Sequence, residues 1–552
     1  MACVGTVCVA PHGARARCFD TNVRRESGCR AASRGVGQNT VVWFNSRRAG
    51  RKNIATAVFA ESSTAISTCD VAIVGGGPGG LATALALQKQ GLDVRVFEQR
   101  EEVRPAGVAV FIWPHGLQHL RDIDYETCER VINAGAPINR IAVERLDPGA
   151  YAPDELLNID VAGWSQRMDL PPQIGITWAR LTNALREGLE PGTVFLGHAL
   201  QDVTDYSRDG KNKSTGQNRT EDHGVVLTFA QTRSGAPAPS PVRARLCVVG
   251  ADGRNSRVRL AVFGDDDDNV DSKERQNITL TTEPTSANVY YALSPNPPPG
   301  GNGLACRNEL RFSLCDGAGI STLDVGRGNL DLLRDASTSV GKNNDKVSGE
   351  GYYTRVSGTD KGTDEVPEMS IPDTSGGQVM FGTTRFSEAS ISFESPSERL
   401  KHLKGMFGET TPLLRALIDA TEPGEVVQTQ LFERNGAKRW SKGRVVLLGD
   451  AAHCMYPSLG LGISTAFADA VELSKQIEEM QVTKLSTEDA LARYSANRSP
   501  NARLLQLVSR VMHNVLAATS QKPTSSSSDS KFDPSKLFFK LWQGALWVFG
   551  DR

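Results

Sequence analysis

The chain has 552 residues, of which 39% are hydrophobic and 23% charged, and its formal net charge is −1. This length allows roughly two to four domains with a sizeable buried core, and the composition is that of a globular protein. Residues 1–60 hold ten basic and two acidic side chains, so the rest of the chain is acidic overall and nucleic acid is not its expected partner.

We expect residues 1–65 to be a disordered leader similar to a transit peptide, because this segment is rich in arginine, poor in acidic residues and lacks a helical or strand period. Four of the ten cysteines fall in the leader, and the other six include no C-x-x-C pair, which favours neither a zinc site nor a disulfide framework. A plastid (chloroplast) is the expected location. A mitochondrial leader and a basic tail of a cytoplasmic protein are the alternatives.

The first predicted elements are a strand, a glycine-rich loop, a helix and a second strand, in the order DVAIV, GGGPGG, LATALALQKQG and DVRVFE. Continuous apolar character is typical of buried parallel strands. In the loop, Gly75 allows the tight turn, Gly77 lets the backbone approach a pyrophosphate, and Gly80 lets the helix pack on the strand. Glu98 ends the second strand, where its carboxylate can accept hydrogen bonds from ribose hydroxyls. The pattern predicts a site for ADP-ribose but does not separate NAD from FAD.

Two further stretches have the same strand-then-helix pattern, CVVGADGRNSRVR at 247–259 and WSKGRVVLLGDAAHCMYPSLGLGISTAFADAVEL at 440–473. Each places an aspartate, Asp252 or Asp450, at the end of a strand and before a helix start that carries glycine. Such carboxylates suit the hydroxyls of a polyol chain, and helix N–H groups suit phosphate oxygens. A dehydrogenase that holds only NAD needs no such third element.

The chain between these two motifs has a different character, with an acidic run and several turn-rich stretches. We therefore expect a discontinuous nucleotide-binding domain, a substrate-binding domain inserted into it, a C-terminal helix, and a Ser-rich linker with an aromatic tail. The expected ranges are 66–264 together with 436–485, then 265–435, 486–518 and 519–552.

The aromatic tail could touch a membrane surface, although packing on the body of the protein is the favoured interpretation. No transmembrane helix is predicted, since the sequence has no run of eighteen uninterrupted apolar residues. No metal site is predicted either. The acidic run Asp265–Asp268 lacks ligands of other types beside it, and His115 and His119 lack a third ligand nearby.

In this order and at these separations, the three motifs resemble those of the group A flavoprotein monooxygenases, the family that includes para-hydroxybenzoate and salicylate hydroxylases and zeaxanthin epoxidase. The similarity covers roughly residues 70–515 and includes ITWARLTNAL and YSANRSPNARLLQLVSR. It implies an α/β fold with a Rossmann-like, GR2-type FAD-binding domain, an inserted substrate domain of mixed β-sheet plus helix, and C-terminal helices.

The resemblance also implies which residues hold the cofactor. The implied FAD-binding residues are Gly75, Gly77, Gly80, Glu98, Arg180, Asp252, Asp450, Gly460 and Gly462, and the helix start at Pro457, Gly460 and Gly462 would lie beneath the isoalloxazine. This sequence departs from the family pattern at Leu461, where an amide is usual, and at Ala109, where a second glycine is common. No general base transfers by position, and we interpret His453 and Cys454 as structural residues.

The implied activity is FAD-dependent monooxygenation, in which NADPH or NADH reduces the flavin and a flavin C4a-hydroperoxide passes one atom of O2 to a small aromatic or isoprenoid substrate. Hydroxylation and epoxidation both stay open. The alternatives are a plastid FAD-dependent reductase similar to geranylgeranyl reductases and a flavin-binding protein without turnover. Tyr290 and Tyr291 are candidates for the lining of the substrate domain.

Overall fold

A computed structural model gives the architecture. It describes residues 66–102, 108–146, 154–206, 223–231, 237–264, 283–296, 307–315, 317–327, 377–385, 393, 395–407, 412–434, 437 and 439–520. The expected leader, the acidic run and the aromatic tail lie outside these residues. Residues 519 and 520, which were expected to begin the linker, end the C-terminal helix.

Strands and helices alternate through the first half of the described chain. The strands are β1 (Ser67–Val74), β2 (Val94–Phe97), β3 (Ala109–Ile112), β4 (Ala136–Pro137), β5 (Arg140–Arg145), β6 (Asp154–Asp160), β7 (Ile174–Thr177), β8 (Val194–Phe195), β9 (Leu200–Asp205), β10 (Val225–Phe229), β11 (Val242–Gly250), β12 (Glu283–Asn296), β13 (Glu309–Cys315), β14 (Ala318–Arg327), β15 (Gly377–Arg385), β16 (Val427–Glu433), β17 (Ser441–Lys442) and β18 (Val445–Leu447). The helices are α1 (Pro78–Gln88), α2 (Pro114–Ile123), α3 (Tyr125–Ala134), α4 (Val161–Arg167), α5 (Trp178–Arg186), α6 (Arg257–Phe263), α7 (Pro396–Phe407), α8 (Pro412–Asp419), α9 (Asp450–His453), α10 (Gly462–Thr483) and α11 (Thr487–Ser520). Short 3₁₀ turns lie at Pro423–Glu425 and Pro457–Leu459.

The first sheet contains the four strands that the motifs predicted, namely β1, β2, β11 and β18. Its core is parallel in the order β18-β11-β1-β2-β8, with antiparallel β17 at one edge and antiparallel β10 and β9 continuing from β11. Val71, Ala72 and Ile73 of β1 are fully buried in the main apolar cluster, where α1 packs on β1 and β2 and α10 packs on α1. This explains why residues 71–74 of the strand are all apolar, rather than apolar at alternate positions.

The second sheet has seven strands in the order β16-β12-β15-β14-β13-β5-β6. Its pairs are antiparallel except for β13 with β5, which run in parallel with Glu309 opposite Arg140. Strands β5 and β6 come from residues 140–160, within the range expected for the nucleotide-binding domain, so the second sheet draws strands from both expected ranges. An apolar run such as Ile141–Val143 predicts a buried strand but not the sheet in which it pairs.

A small third sheet, β3-β7-β4, packs against β14 of the second sheet. One face of the second sheet packs with α11 in an apolar cluster that includes Leu314, Met380 and Leu505. The other face packs with α7 and α8 around Phe381 and Leu403. The two faces of this sheet therefore have separate cores, and α11 fixes one of them.

Within the part of the chain that the structure describes, no helix is both long enough and apolar enough to cross a lipid bilayer.

Candidate flavin and substrate site

A cavity of about 1040 Å³ lies between the first and second sheets. The carboxyl ends of β1, β2 and β11 form one side, and strands β12 to β16 form the other. In open α/β sheets, ligands bind outside the carboxyl ends of the strands. Eight of the ten residues that the sequence analysis placed at the cofactor line this cavity: Gly75, Gly77, Glu98, Asp252, Asp450, Pro457, Gly460 and Gly462.

The glycine loop turns sharply between β1 and α1. Gly75 has a φ of 112°, a left-handed conformation that favours glycine, and an added Cβ would overlap the carbonyl of Ala251. Gly80 does not line the cavity. Its Cα faces the carbonyl of Gly75, so that α1 can pack closely on the strand, as its predicted role requires. Helix α1 then begins after Gly77 with no side-chain cap, which leaves its first N–H groups directed toward the cavity.

Glu98 supports the loop from the end of β2. Its Oε2 accepts a hydrogen bond of 2.9 Å from the backbone N–H of Gly76, and its Oε1 accepts one of 3.0 Å from the N–H of Arg100. Arg186 of α5 lines the cavity on the same side, and its Nε is buried without a hydrogen-bond partner among the described residues. Burial lowers the pKa of Arg186, and the nearby Glu98 opposes that shift. A donor left in this state is a suitable partner for an anionic ligand.

Two aspartates continue the polar side of the cavity. Oδ2 of Asp252 accepts hydrogen bonds from the N–H groups of Arg257 (2.6 Å) and Val258 (3.2 Å), whereas its Oδ1 is buried with no partner among the described residues. Burial raises the pKa of Asp252, and its hydrogen bonds oppose the rise. Burial also raises the pKa of Asp450, against the opposing influence of His453 and Arg254. The unused Oδ1 of Asp252 fits a hydroxyl of a ribityl chain.

The start of helix α10 reaches the cavity through Gly462 and Ile463. Before it, Gly460 adopts a left-handed φ of 61°, and an added Cβ would overlap the ring of Phe111. Leu461, the departure from the usual amide, does not line the cavity; it is buried in the apolar cluster of the second sheet. This departure therefore changes packing behind the loop. Ala109, the other departure, does line the cavity.

Arg180 is the expected cofactor residue that the structure places elsewhere. Its Nη1 donates to the carbonyls of Ala134 (3.0 Å) and Val325 (2.7 Å), and its Nη2 donates to Gln378 (3.3 Å). It is absent from the cavity lining. The guanidinium joins α5 to α3 and to the second sheet, so the structure does not bring Arg180 to the cavity with the other residues expected there.

Three other residues of α5 take its place at the cavity, namely Trp178, Thr182 and Arg186. They are spaced four residues apart, so they form one stripe of the helix, and Arg180 lies on the opposite side. These three residues were not predicted from the sequence. A helical period applied to this segment could have found the stripe, but it could not have shown which stripe faces the cavity.

His453 and Cys454, which the sequence analysis interpreted as structural, are both buried. His453 is 1% exposed and lies outside the cavity, with Nε2 2.6 Å from Oδ2 of Asp469. The same aspartate accepts a hydrogen bond of 2.8 Å from Nε of Arg498. Cys454 lines the cavity, but burial raises the pKa of its thiol to about 12, so the thiol stays protonated.

Comparison with known proteins decides the family. The model of the family described as "FAD binding domain" matches residues 68–309 and 412–508, which is more than half of the chain. The chain belongs to this FAD binding domain family. FAD is therefore the cofactor, and the glycine loop, Arg186 and the partnerless oxygen of Asp252 fit it at the cavity.

Relatives in the FAD binding domain family differ in how much of the chain they match. A 6-hydroxynicotinate 3-monooxygenase of Pseudomonas fluorescens is 37% identical over 24% of this chain and 32% of its own length. An FAD-dependent urate hydroxylase of Klebsiella oxytoca is 22% identical over 79% of this chain and 88% of its own. The chloroplastic zeaxanthin epoxidase of Solanum lycopersicum is 24% identical over 74% of this chain and 48% of its own.

Solved structures agree on the fold. HpxO of Klebsiella pneumoniae, complexed with FAD and uric acid, superposes with a TM-score of 0.59 at 19% identity, over 87% of this chain and 95% of that one. The p-nitrophenol 4-monooxygenase PnpA of Pseudomonas putida superposes with a TM-score of 0.58 at 18% identity, over 88% and 100%. The α/β fold with an FAD-binding domain is confirmed.

Proposed function

We propose that the protein is a single-component FAD-dependent monooxygenase that uses NADPH or NADH and O2 to hydroxylate or epoxidise a small organic molecule. The observation that carries the proposal is the continuity of one cavity from the glycine loop to the second sheet. A substrate held against that sheet would share a single cavity with FAD. Relatives in the family that are named as hydroxylases, monooxygenases or an epoxidase support the same reaction class.

The chain supplies binding, orientation and electrostatics. FAD, when bound, supplies hydride acceptance from the nicotinamide and the activation of oxygen. We assign the dinucleotide to the loop around Gly75 and Gly77, its ribose to Glu98, and its phosphates to the N-terminus of α1 with Arg186. Asp252 and Asp450 would accept hydrogen bonds from the ribityl hydroxyls.

The start of α10 has an electrostatic role in this proposal. The helix runs for 22 residues from Gly462, and its N-terminus carries a partial positive charge directed at the cavity. Such a terminus stabilises negative charge on a ring system placed above it. No side chain has to transfer a proton at this point, which agrees with the absence of His453 from the cavity wall.

Oxygen uptake tests the proposal. The FAD-loaded protein, supplied with NADPH or NADH, is expected to consume O2 faster when a substrate is added, and ¹⁸O2 should place one heavy oxygen atom in the product. Reduction of a substrate double bond without oxygen would support the reductase alternative. Bound FAD that is not reduced in any series of phenols, quinone precursors or carotenoids would contradict a monooxygenase.

We also propose that the protein acts in a plastid. The arginine-rich, acid-poor residues 1–65, which lie outside the described residues, support this location, as do two chloroplastic zeaxanthin epoxidases among the relatives. Import into isolated plastids with removal of a leader is the expected result. Import into mitochondria alone, or retention in the cytosol, would contradict it.

A further inference from the structure

The two sides of the cavity differ in charge. Within the described residues, every Lys, Arg, Asp or Glu that lines the cavity belongs to four segments: 98–102, Arg186, 252–257 and Asp450. All four stand at the carboxyl edge of the first sheet or on α5 and the start of α9, where the dinucleotide is assigned. The side formed by β12 to β16 and α11 contributes no charged residue of these types.

Strand alternation produces this uncharged wall. On β13, Leu310, Phe312 and Leu314 face the cavity, whereas Ser313 lies on the other face and donates a 2.6 Å hydrogen bond to the buried Glu144. The acidic group next to the substrate sheet is therefore directed away from the cavity. Strand β15 follows the same period and contributes Met380 to the cavity side.

The polar groups of the wall are neutral. Tyr291 of β12 lines the cavity, and burial raises the pKa of its phenol to about 12, so it keeps its proton. Its ring lies against Gly382, where an added Cβ would come within 3.0 Å of it. His513 of α11 stacks on Tyr456 with 4.5 Å between ring centres, and burial lowers the pKa of His513, which favours the uncharged imidazole.

Arg254 is the cation that comes nearest to this wall. Its guanidinium carbon lies 3.9 Å above the ring of Phe432 on β16, and its charge opposes the rise that burial causes in the pKa of Asp450. The guanidinium is thus already covered by an aromatic face and opposed by a carboxylate. A substrate carboxylate placed against β13 and β15 would lose part of its hydration without gaining a cation, which is costly.

We propose that the substrate is an uncharged, mainly apolar molecule that offers one hydroxyl or carbonyl group to Tyr291, and that the wall discriminates against carboxylates. This inference rests on the proposed function, because it assigns the space beside FAD to the substrate. Apolar burial against β13 and β15 supplies the affinity, and the Tyr291 hydroxyl supplies the orientation.

Matched pairs of probes test the inference on the FAD-loaded full chain. The pairs are 2-naphthol with 3-hydroxy-2-naphthoate and 4-phenylphenol with 4′-hydroxybiphenyl-4-carboxylate. Kd is measured from the change in the flavin absorbance spectrum. In at least one pair the neutral member is expected to bind roughly a hundredfold more tightly than the carboxylate. Equal or tighter binding of the carboxylates, or no binding by either neutral probe, would overturn the proposal.

Two neighbouring tyrosines provide a variant and its control. Tyr291→Phe keeps the ring and removes the hydroxyl, so the Kd of the neutral probe should rise about fivefold to tenfold. Tyr290→Phe makes the same change on the opposite face, in the core with α7 and α8, and should leave that Kd unchanged. An equal effect of both variants would contradict the role of Tyr291.

Arg254→Gln tests the alternative that Arg254 anchors a substrate carboxylate. If the carboxylates bind and lose affinity in this variant, Arg254 is a carboxylate anchor and the substrate is an anion. Failure of the proposed function has a different signature: NADPH then reduces no bound FAD with any probe, whatever the order of the Kd values.

Discussion

Nε2 of His453 lies 2.6 Å from Oδ2 of Asp469, and both side chains are fully buried behind the cavity. The same Oδ2 accepts a hydrogen bond of 3.2 Å from the backbone N–H of Gly449, and Arg498 of α11 binds Oδ1. One carboxylate on α10 therefore holds the turn before Asp450 and ties it to the C-terminal helix. The position of a residue assigned to FAD depends on a charge that never contacts FAD.

Asp469→Asn removes that charge while keeping the shape. We expect the free energy of unfolding to fall by about 3 kcal/mol, because Arg498 is left without its buried partner, and we expect the purified protein to hold less FAD. Urea unfolding and the ratio of flavin to protein absorbance measure the two effects. Glu478→Gln, an exposed change on the same helix, should alter neither quantity noticeably. Equal stability of the two variants would show that the network is not structural.

The stabilisation from Asp469 depends on pH. His453 and Arg498 outweigh burial and lower the pKa of Asp469 from 3.8 to about 2. A folded pKa below the unfolded one contributes stability that is complete above the unfolded value and is lost as the pH falls through the folded value. The difference in unfolding free energy between the wild type and Asp469→Asn should thus be constant above about pH 5 and shrink from pH 4 toward pH 2. A difference that grows with acid would contradict this assignment.

Gly460→Ala tests the turn that precedes α10. The left-handed φ and the overlap with Phe111 should together lower the free energy of unfolding by about 1–3 kcal/mol and reduce FAD retention. Phe111→Ala in the same chain removes the overlap but not the backbone strain, so the double variant should recover part of the loss. Gly405→Ala on α7, where nothing lies within 4 Å, should be neutral or slightly stabilising. Thermal unfolding of the four proteins gives the comparison.

Variants of Arg180 and Arg186 test which arginine of helix α5 binds FAD and which one stabilises the fold. Arg186→Ala should weaken FAD binding about tenfold with little change in stability, because its Nε has no protein partner to lose. Arg180→Ala should do the reverse, since it leaves the carbonyls of Ala134 and Val325 without their donor. Titration of the apoprotein with FAD and urea unfolding measure the two quantities. A larger loss of FAD affinity in Arg180→Ala would restore the sequence-based assignment.

Much of the cofactor side could be predicted because its signals are local. Gly75, Glu98 and Asp252 each lie at a strand end that a short apolar run announces, and parallel strands bring such ends together. The roles of Arg180 and Arg186 could not be predicted in the same way. Both are arginines on one helix. The face of that helix that meets the cavity depends on a distant strand, β14, whose Val325 carbonyl accepts a hydrogen bond from Arg180.

Less of the substrate side could be predicted from the sequence. The alternation of β12 indicates that Tyr290 and Tyr291 face opposite ways, but nothing in the local pattern says which one meets the cavity. The structure buries Tyr290 against α7 and α8 and presents Tyr291 to the cavity. The pairing of β5 and β6 with the second sheet could not be predicted for a comparable reason. The local sequence of a strand does not identify a pairing partner far away in the chain.

That recruitment of β5 and β6 has a consequence for how the protein reaches its native state. Residue 140 must pair with residue 309, and strand β16 completes the sheet only after residue 427 has emerged from the ribosome. Pairings this far apart in sequence form slowly, because the entropy cost of closing a long loop comes before any stabilising contact. Residues 265–435 expressed alone would lack two of the seven strands and expose the pairing edge of β13, so the two domains should fold as one cooperative unit.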